Sequence, residues 1–85
     1  MTYQVVVDRS VLKSLLKMDA VLVRRLRAAV GALAEEPRPD GCRKLVGLED
    51  CFRVRVGDYR LLYRVIDADA KVLVYRVAHR REAYR

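Results

Sequence analysis

The chain has 85 residues and carries 18 lysines and arginines against 11 aspartates and glutamates, a formal net charge of +7. This excess of positive charge points to an anionic partner, such as nucleic acid, an acidic protein or an anionic membrane. The hydrophobic share of 53% excludes an intrinsically disordered chain, and the length suits a single small domain, which we place at residues 1–85.

Several classes of protein are disfavoured by what the sequence lacks. No apolar run approaches the length of a membrane-spanning helix, and residues 1–10 (MTYQVVVDRS) do not resemble a signal peptide. We therefore expect a cytoplasmic protein with no membrane partner. Cys42 and Cys51 form no CxxC motif and the chain has one histidine, so we expect no zinc site, no cofactor and no disulfide.

The N-terminal part of the chain predicts one strand followed by two helices. Residues 3–7 (YQVVV) are rich in β-branched side chains and predict a strand. Asp8 or Ser10 is placed to cap a first helix, and Asp19 to cap a second. Pro37 disfavours helical backbone in the residue before it, so we expect the second helix to end there.

Three arginines of the second predicted helix allow two interpretations. Arg24, Arg25 and Arg27 suit a nucleic-acid patch, or a solvated helix face whose aliphatic stems cover apolar surface. We favour the solvated face, because arginine is also a good helix former.

The clearest pattern of the chain is a predicted hairpin at residues 51–66 (CFRVRVGDYRLLYRVI). Apolar and polar residues alternate on both sides of Gly57-Asp58, which suits a two-residue type II′ turn. A two-residue loop also sets the register, so that Arg55 lies directly opposite Arg60.

This register divides the hairpin into two faces. The apolar face predicts a core and consists of Phe52, Val54, Val56, Tyr59, Leu61 and Tyr63. The other, which we call the arginine face, carries Arg53, Arg55, Arg60 and Arg64, interrupted by Leu62. Opposed like charges destabilise a sheet by about a few tenths of a kcal/mol when solvated. We interpret this face as a surface for a polyanion, the alternative being a solvated basic face.

The remaining segments complete an α+β domain. Residues 43–48 predict a short irregular strand or turn that brings Lys44 next to the hairpin, and residues 71–78 (KVLVYRVA) predict an interior strand. The predicted order is β-α-α-β-β-β, with the helix pair packed on the apolar face of a mostly antiparallel sheet. The arginine face is then exposed.

The pairing of the last strand with the second strand of the hairpin gives a second predicted register. If Ile66 pairs with Val72, Tyr75 faces Tyr63 on the core side, and Arg76 joins the arginine face opposite Leu62.

Residues 79–85 follow the last predicted strand without an intervening loop. This segment is expected to bring His79, Arg80 and Tyr84 to the open end of the arginine face, near Arg60.

Arginines on such a face suit the binding of phosphates and the stabilisation of charge on a phosphorane during RNA cleavage. Attack by the ribose 2′-OH also requires a proton acceptor and a proton donor. No carboxylate cluster for Mg²⁺ is visible, so a metal-free route is favoured. The candidates for proton transfer are His79, Tyr84, Lys44, Glu82 and Glu49, and the Tyr84 ring also suits stacking on a base.

Residues 43–67 (RKLVGLEDCFRVRVGDYRLLYRVID) and 72–85 (VLVYRVAHRREAYR) closely resemble the RelE branch of the RelE/ParE toxin superfamily. The shared motifs are K-L-x-G, [FY]-[RK]-[VI]-[RK], G-x-Y-R-[LV]-[LVI]-Y and a closing [HK]-R-x-x-x-Y. The resemblance implies a RelE-like fold and a ribosome-dependent endonuclease that cuts mRNA in the ribosomal A site. It also implies a RelB-like antitoxin from an adjacent gene, bound to the toxin in a hetero-oligomer.

The resemblance implies roles for particular residues. Arg53, Arg55, Arg60, Arg80 and Tyr84 match positions that orient and activate the 2′-OH, hold the scissile phosphate and stack on a base. Further RNA contacts are expected from Lys44, Arg64, Arg76 and Arg81.

Some RelE toxins have lysines where this chain has Arg53 and Arg55. Because arginine does not lose its proton, the role of base then passes to His79 or Lys44, or catalysis is weaker. ParE-like toxins share the fold but poison DNA gyrase without cutting RNA, so a gyrase poison and a non-catalytic antitoxin-binding module remain alternatives.

Overall fold

The computed structural model describes residues 2–82, so Tyr84 lies outside the described residues. Its elements in chain order are β1 (Gln4–Val7), α1 (Arg9–Leu15), α2 (Ala20–Glu35), β2 (Arg43–Lys44), β3 (Cys51–Val56), β4 (Tyr59–Ile66), a 3₁₀ turn (Asp67–Asp69) and β5 (Lys71–His79). The strands form one five-stranded sheet in the order β1-β5-β4-β3-β2. β1 runs parallel to β5 and every other pair is antiparallel, which confirms the predicted fold class.

Both helices begin at the predicted kind of cap. The Asp8 carboxylate accepts a hydrogen bond from the Ser10 backbone N–H at 3.0 Å, and Asp19 accepts one from the Leu22 N–H at 2.9 Å. α2 ends at Glu35, because the next residue is extended before Pro37 as predicted. Neither helix within residues 2–82 is long and apolar enough to cross a membrane.

The hairpin of β3 and β4 has the predicted register, including Arg55 opposite Arg60. Gly57 has a φ of +60°, as the first central residue of a type II′ turn requires. A Cβ at this glycine would lie 3.2 Å from Nη1 of Arg25, so α2 packs closely against the turn. The turn therefore holds the two opposed arginines in register.

The register of β4 with β5 is only partly as predicted. Arg76 lies opposite Leu62, but an irregularity next to this pair places Val74, and not Tyr75, opposite Tyr63. The expected pair of Ile66 with Val72 is wrong, because the extra residue in β5 shifts all later pairs by one.

The core lies between the helices and the apolar face of the sheet. Val11 of α1 and Leu26 of α2 pack against strand residues that include Tyr63, and all three are buried. The Tyr63 hydroxyl donates a hydrogen bond to the Pro37 carbonyl at 2.8 Å, and its ring stacks on Phe52 with 5.9 Å between centroids. Burial raises the pKa of the Tyr63 phenol, so it stays protonated as this hydrogen bond requires.

A cluster of paired polar groups ties three segments together at one end of the sheet. Arg38 binds both carboxylate oxygens of Asp67, at 2.8 and 3.3 Å, and Tyr3 donates its hydroxyl proton to the same carboxylate at 2.7 Å. The guanidinium also lies 5.2 Å from the centre of the Phe52 ring. These hydrogen bonds, with Arg38 as the largest cause, hold the pKa of Asp67 below its usual value.

Candidate anion-binding face

The arginine face extends over four strands of the sheet. Opposed residues in an antiparallel pair share a face, so the pair of Arg55 with Arg60 has a second like-charge pair beside it, Arg43 with Arg53. Arg43 belongs to the two-residue strand β2 and was not among the residues expected here from sequence. Arg64 and Arg76 lie on the same face, opposite Cys51 and Leu62.

Arg60 differs from the expected exposed residue because it is buried. Its side chain is only 7% exposed, and within residues 2–82 its Nε and Nη1 atoms have no hydrogen-bond partner. Ala78 lies opposite it on β5, and this short side chain leaves room for the guanidinium. Leaving a buried charged donor without a partner costs about 1–3 kcal/mol or more. This arrangement is unfavourable for the protein alone and favourable for binding an anion.

The neighbouring arginines add positive charge around the buried Arg60 guanidinium. Arg55 and Arg64 are exposed, and neither forms an ion pair with any carboxylate in the described part of the chain. Arg53 is half-buried. The Nη2 atom of Arg76 lies 3.5 Å from the Glu82 carbonyl, a contact too long to hold it firmly. The field of the face is therefore strongly positive around Arg60.

Tyr75 joins the arginine face, although its sequence position predicted the core. At the irregularity, Tyr75 and Arg76 together lie opposite Leu62. Both side chains project from the same face of the sheet as the Leu62 side chain. Burial raises the pKa of the Tyr75 phenol, and its contact with the Cys51 thiol raises it further. The tyrosine is therefore a neutral aromatic group among arginines. No signal in the sequence marks the extra residue that places it there.

Two predicted site residues lie on the opposite side of the sheet. Lys44 pairs with Phe52 and His79 pairs with Tyr59, so both belong to the helix side. The His79 ring packs edge-on against the Tyr59 ring at 5.3 Å, and its Nδ1 accepts a hydrogen bond from the Arg81 N–H at 3.3 Å. His79 therefore lies at the expected end of the sheet, next to the pair of Arg60 with Ala78, but its ring is on the helix side because residues alternate sides along β5.

The residues after β5 form a turn at the tip of the hairpin. The Arg80 N–H donates to the Asp58 carbonyl at 2.7 Å, which fixes Arg80 next to the β3–β4 turn. The Glu82 carboxylate accepts a hydrogen bond from the His79 N–H at 3.3 Å, and Arg81 is exposed. Glu49 is exposed in the loop between β2 and β3. Tyr84, a predicted catalytic residue, is outside the described residues.

The face suits phosphate better than a metal ion. Within residues 2–82, no group of three or more histidine, cysteine, aspartate or glutamate side chains is arranged to hold a metal. Guanidinium groups instead bind phosphate oxygens through paired N–H donors and keep their charge at any physiological pH.

Comparisons with known proteins relate the whole chain to one group. A family model described as the ParE toxin of the type II toxin-antitoxin system parDE matches residues 5–84. The toxin RelG of Mycobacterium tuberculosis is 38% identical over 65 residues, which is 76% of this chain and 75% of that protein. The mRNA interferase toxin RelE of Escherichia coli is 32% identical over 82 residues, 94% of this chain and 85% of that protein. In the archaeal RelE–RelB complex from Pyrococcus horikoshii, a chain 32% identical superposes with a TM-score of 0.86 and covers 98% of this chain and 100% of its own.

Proposed function

Because this chain belongs to the RelE/ParE superfamily of type II toxin-antitoxin toxins, we propose that it is a ribosome-dependent endoribonuclease that cuts mRNA in the A site. The observation that carries the proposal is the buried Arg60 guanidinium, whose Nε and Nη1 atoms have no partner within residues 2–82. A phosphodiester bound beside Arg60 would place negative charge next to a buried guanidinium that has no carboxylate partner within residues 2–82.

The proposed reaction is an internal transfer of the phosphate ester. The ribose 2′ oxygen attacks phosphorus, the bond from phosphorus to the 5′ oxygen breaks, and a 2′,3′-cyclic phosphate and a 5′-hydroxyl result. The phosphorane between these states has more negative charge on its oxygens than the substrate. Arg60 binds that charge, and Arg53, Arg55 and Arg80 add to the field from β3 and from the end of β5.

The proton transfers are the part of the reaction that this face does not evidently provide. By register, the part of the arginine face within residues 2–82 presents no imidazole and no carboxylate beside Arg60. The positive field favours loss of the 2′ proton without a strong base nearby. We therefore assign the base-stacking and proton-donating role to Tyr84, on the resemblance, and further RNA contacts to Arg64, Arg76 and Arg81. We therefore expect cleavage to depend on the ribosome, because the ribosome would orient the 2′-OH for attack where no strong base is available.

The proposed partner outside the ribosome is a RelB-like antitoxin. The superposing archaeal chain is a RelE bound to RelB. An antitoxin with acidic residues over the arginine face would satisfy the same guanidiniums that bind RNA, and would therefore compete with the substrate.

The test is cleavage of mRNA on programmed ribosomes by purified protein, with the new ends mapped. We expect cuts within the A-site codon, and a rate lower by about 10²–10³-fold for Arg60→Gln, the usual effect of removing one charge-stabilising donor. The matched control is Arg24→Gln, an exposed arginine of α2. Uncut mRNA together with trapped gyrase–DNA complexes would instead identify a gyrase poison.

A further inference from the structure

A cleft of ≈ 360 Å³ opens at the β2 edge of the sheet, and one of the residues that line it is Arg55, the residue opposite Arg60. The cleft is lined by the arginines of the second like-charge pair, by two further residues of β3 and by the loop before β2. The lining residues are Asp40, Gly41, Arg43, Arg53, Val54 and Arg55. Gly41 has a φ of +89°, and the space around its Cα is open, since a Cβ added there would meet no atom within 4 Å. The cleft is large enough for part of a nucleotide.

The charges in the cleft are of both signs, with the positive ones in excess. Within the described residues, neither Arg43 nor Arg55 forms an ion pair, and neither does the Asp40 carboxylate. A nucleotide suits such a set, since its phosphate binds guanidiniums while a ribose hydroxyl or base amine donates to a carboxylate. An acidic peptide offers carboxylates for the arginines, but those side chains give Asp40 no donor, whereas the hydroxyls and amines of a nucleotide do. The cleft therefore favours RNA over an acidic partner.

The spacing separates Arg43, at the far side of this cleft, from the phosphate that Arg60 is proposed to bind. Neighbouring strands are about 4.8 Å apart and alternate residues of a strand about 7 Å apart, so the Cα atoms of Arg60 and Arg43 are separated by roughly 12 Å. Side chains stand nearly perpendicular to a sheet and keep that separation at their ends. The two guanidiniums are thus placed for different phosphates of one strand.

We propose that Arg43 forms a second phosphate subsite, which holds the RNA backbone next to the phosphate on Arg60, with Arg53 and Arg55 lying between the two phosphates. The inference rests on the proposed RNA cleavage at the arginine face, and it adds the path that the bound RNA strand takes across the sheet. The bound strand crosses the sheet from β4 over β3 to β2, and leaves at the Asp40 loop. The subsite contributes affinity and alignment, whereas Arg60 acts on the reacting phosphate.

The test measures binding of the full chain to an uncleavable 2′-O-methyl dinucleotide and to a longer oligonucleotide of the same chemistry, over a range of salt concentrations. For Arg43→Gln we expect weaker binding of the longer oligonucleotide only, and a slope of log K against log salt reduced by about 0.7, the value for one single-strand phosphate contact. Arg24→Gln, on the far side of the molecule in α2, should keep both the slope and the preference for length. Thermal melting of both variants checks that they are folded.

Three results would overturn the subsite. They are equal losses for Arg43→Gln and Arg24→Gln, an equal loss on both lengths of RNA, or a loss on poly-glutamate with none on RNA. Cleavage on programmed ribosomes is measured in parallel with the same proteins. If the original chain cuts mRNA and Arg43→Gln binds RNA normally, the subsite fails alone. If the original chain does not cut while the length effect persists, the proposed function fails and the subsite stands.

Discussion

Arg38 and Arg60 are the same residue type in opposite situations. Arg38 is 40% exposed and binds the Asp67 carboxylate through two hydrogen bonds. Arg60 is 7% exposed, and within residues 2–82 its Nε and Nη1 lack any partner. Stability alone favours the reverse arrangement, because water solvates an exposed charge and a buried one needs a partner. Arg38 thus stabilises the fold through its carboxylate partner, whereas the burial of Arg60 is what the proposed binding of an anion would offset.

The largest expected effect comes from removing the buried charge. Arg60→Met should raise the free energy of unfolding by about 1–3 kcal/mol, because an apolar side chain of similar length has no donors to satisfy. Chemical denaturation measures this, and the same variant should lose mRNA cleavage. The control is Arg55→Met, an exposed arginine directly opposite, whose stability should change little. A destabilised Arg60→Met would show that Arg60 has a partner in the folded chain and break the contrast with Arg38.

An intermediate effect is expected where a buried polar group does have its partner. Tyr63→Phe removes the hydroxyl that donates to the Pro37 carbonyl and leaves that oxygen without its donor. The free energy of unfolding should fall by about 1–1.5 kcal/mol, with cleavage on the ribosome unchanged. Tyr59→Phe is the matched control, since Tyr59 is only half-buried. Equal losses for both variants would argue against the Pro37 hydrogen bond.

The smallest effect on stability is expected from breaking the ion pair of Arg38 with Asp67. The pKa of Asp67 is lowered by Arg38, so the ion pair stabilises the fold above the carboxyl's unfolded pKa, and that stability is lost as pH falls through the folded value. Asp67→Asn should therefore lower the melting temperature slightly near neutral pH, and the difference should shrink as the pH falls through the lowered pKa of the folded carboxyl. Cleavage should be unaffected. A difference that persists in acid would mean that Asp67 acts through hydrogen bonds and not through its charge.

Features set by local sequence were predictable. The alternation on both sides of Gly57-Asp58 determined the hairpin register, and with it the opposition of Arg55 and Arg60. The helix caps and the end of α2 at Pro37 followed from short-range backbone chemistry in the same way.

Features that depend on distant packing were not. One extra residue in β5 moved Tyr75 to the arginine face, and nothing in a strand's composition marks such an irregularity. Arg43 was missed because a two-residue strand has no periodicity to read. The burial of Arg60 depends on its neighbours across the sheet, which sequence spacing does not describe. The sequence predicted the end of the sheet at which His79 lies, but not that its ring packs against Tyr59 on the helix side.

The parallel pairing of β1 with β5 has a consequence during synthesis of the protein on the ribosome, which is also its proposed site of action. β1 is synthesised before β5 but pairs with residues 71–74 of that strand, so it must wait until those residues have been made. Translation adds about 5–20 residues per second, which keeps the sheet incomplete for seconds. Ala78, which lies opposite Arg60, also belongs to this late strand. Until β5 is made, the nascent chain therefore lacks the strand that lies beside Arg60, and the arginine face is incomplete.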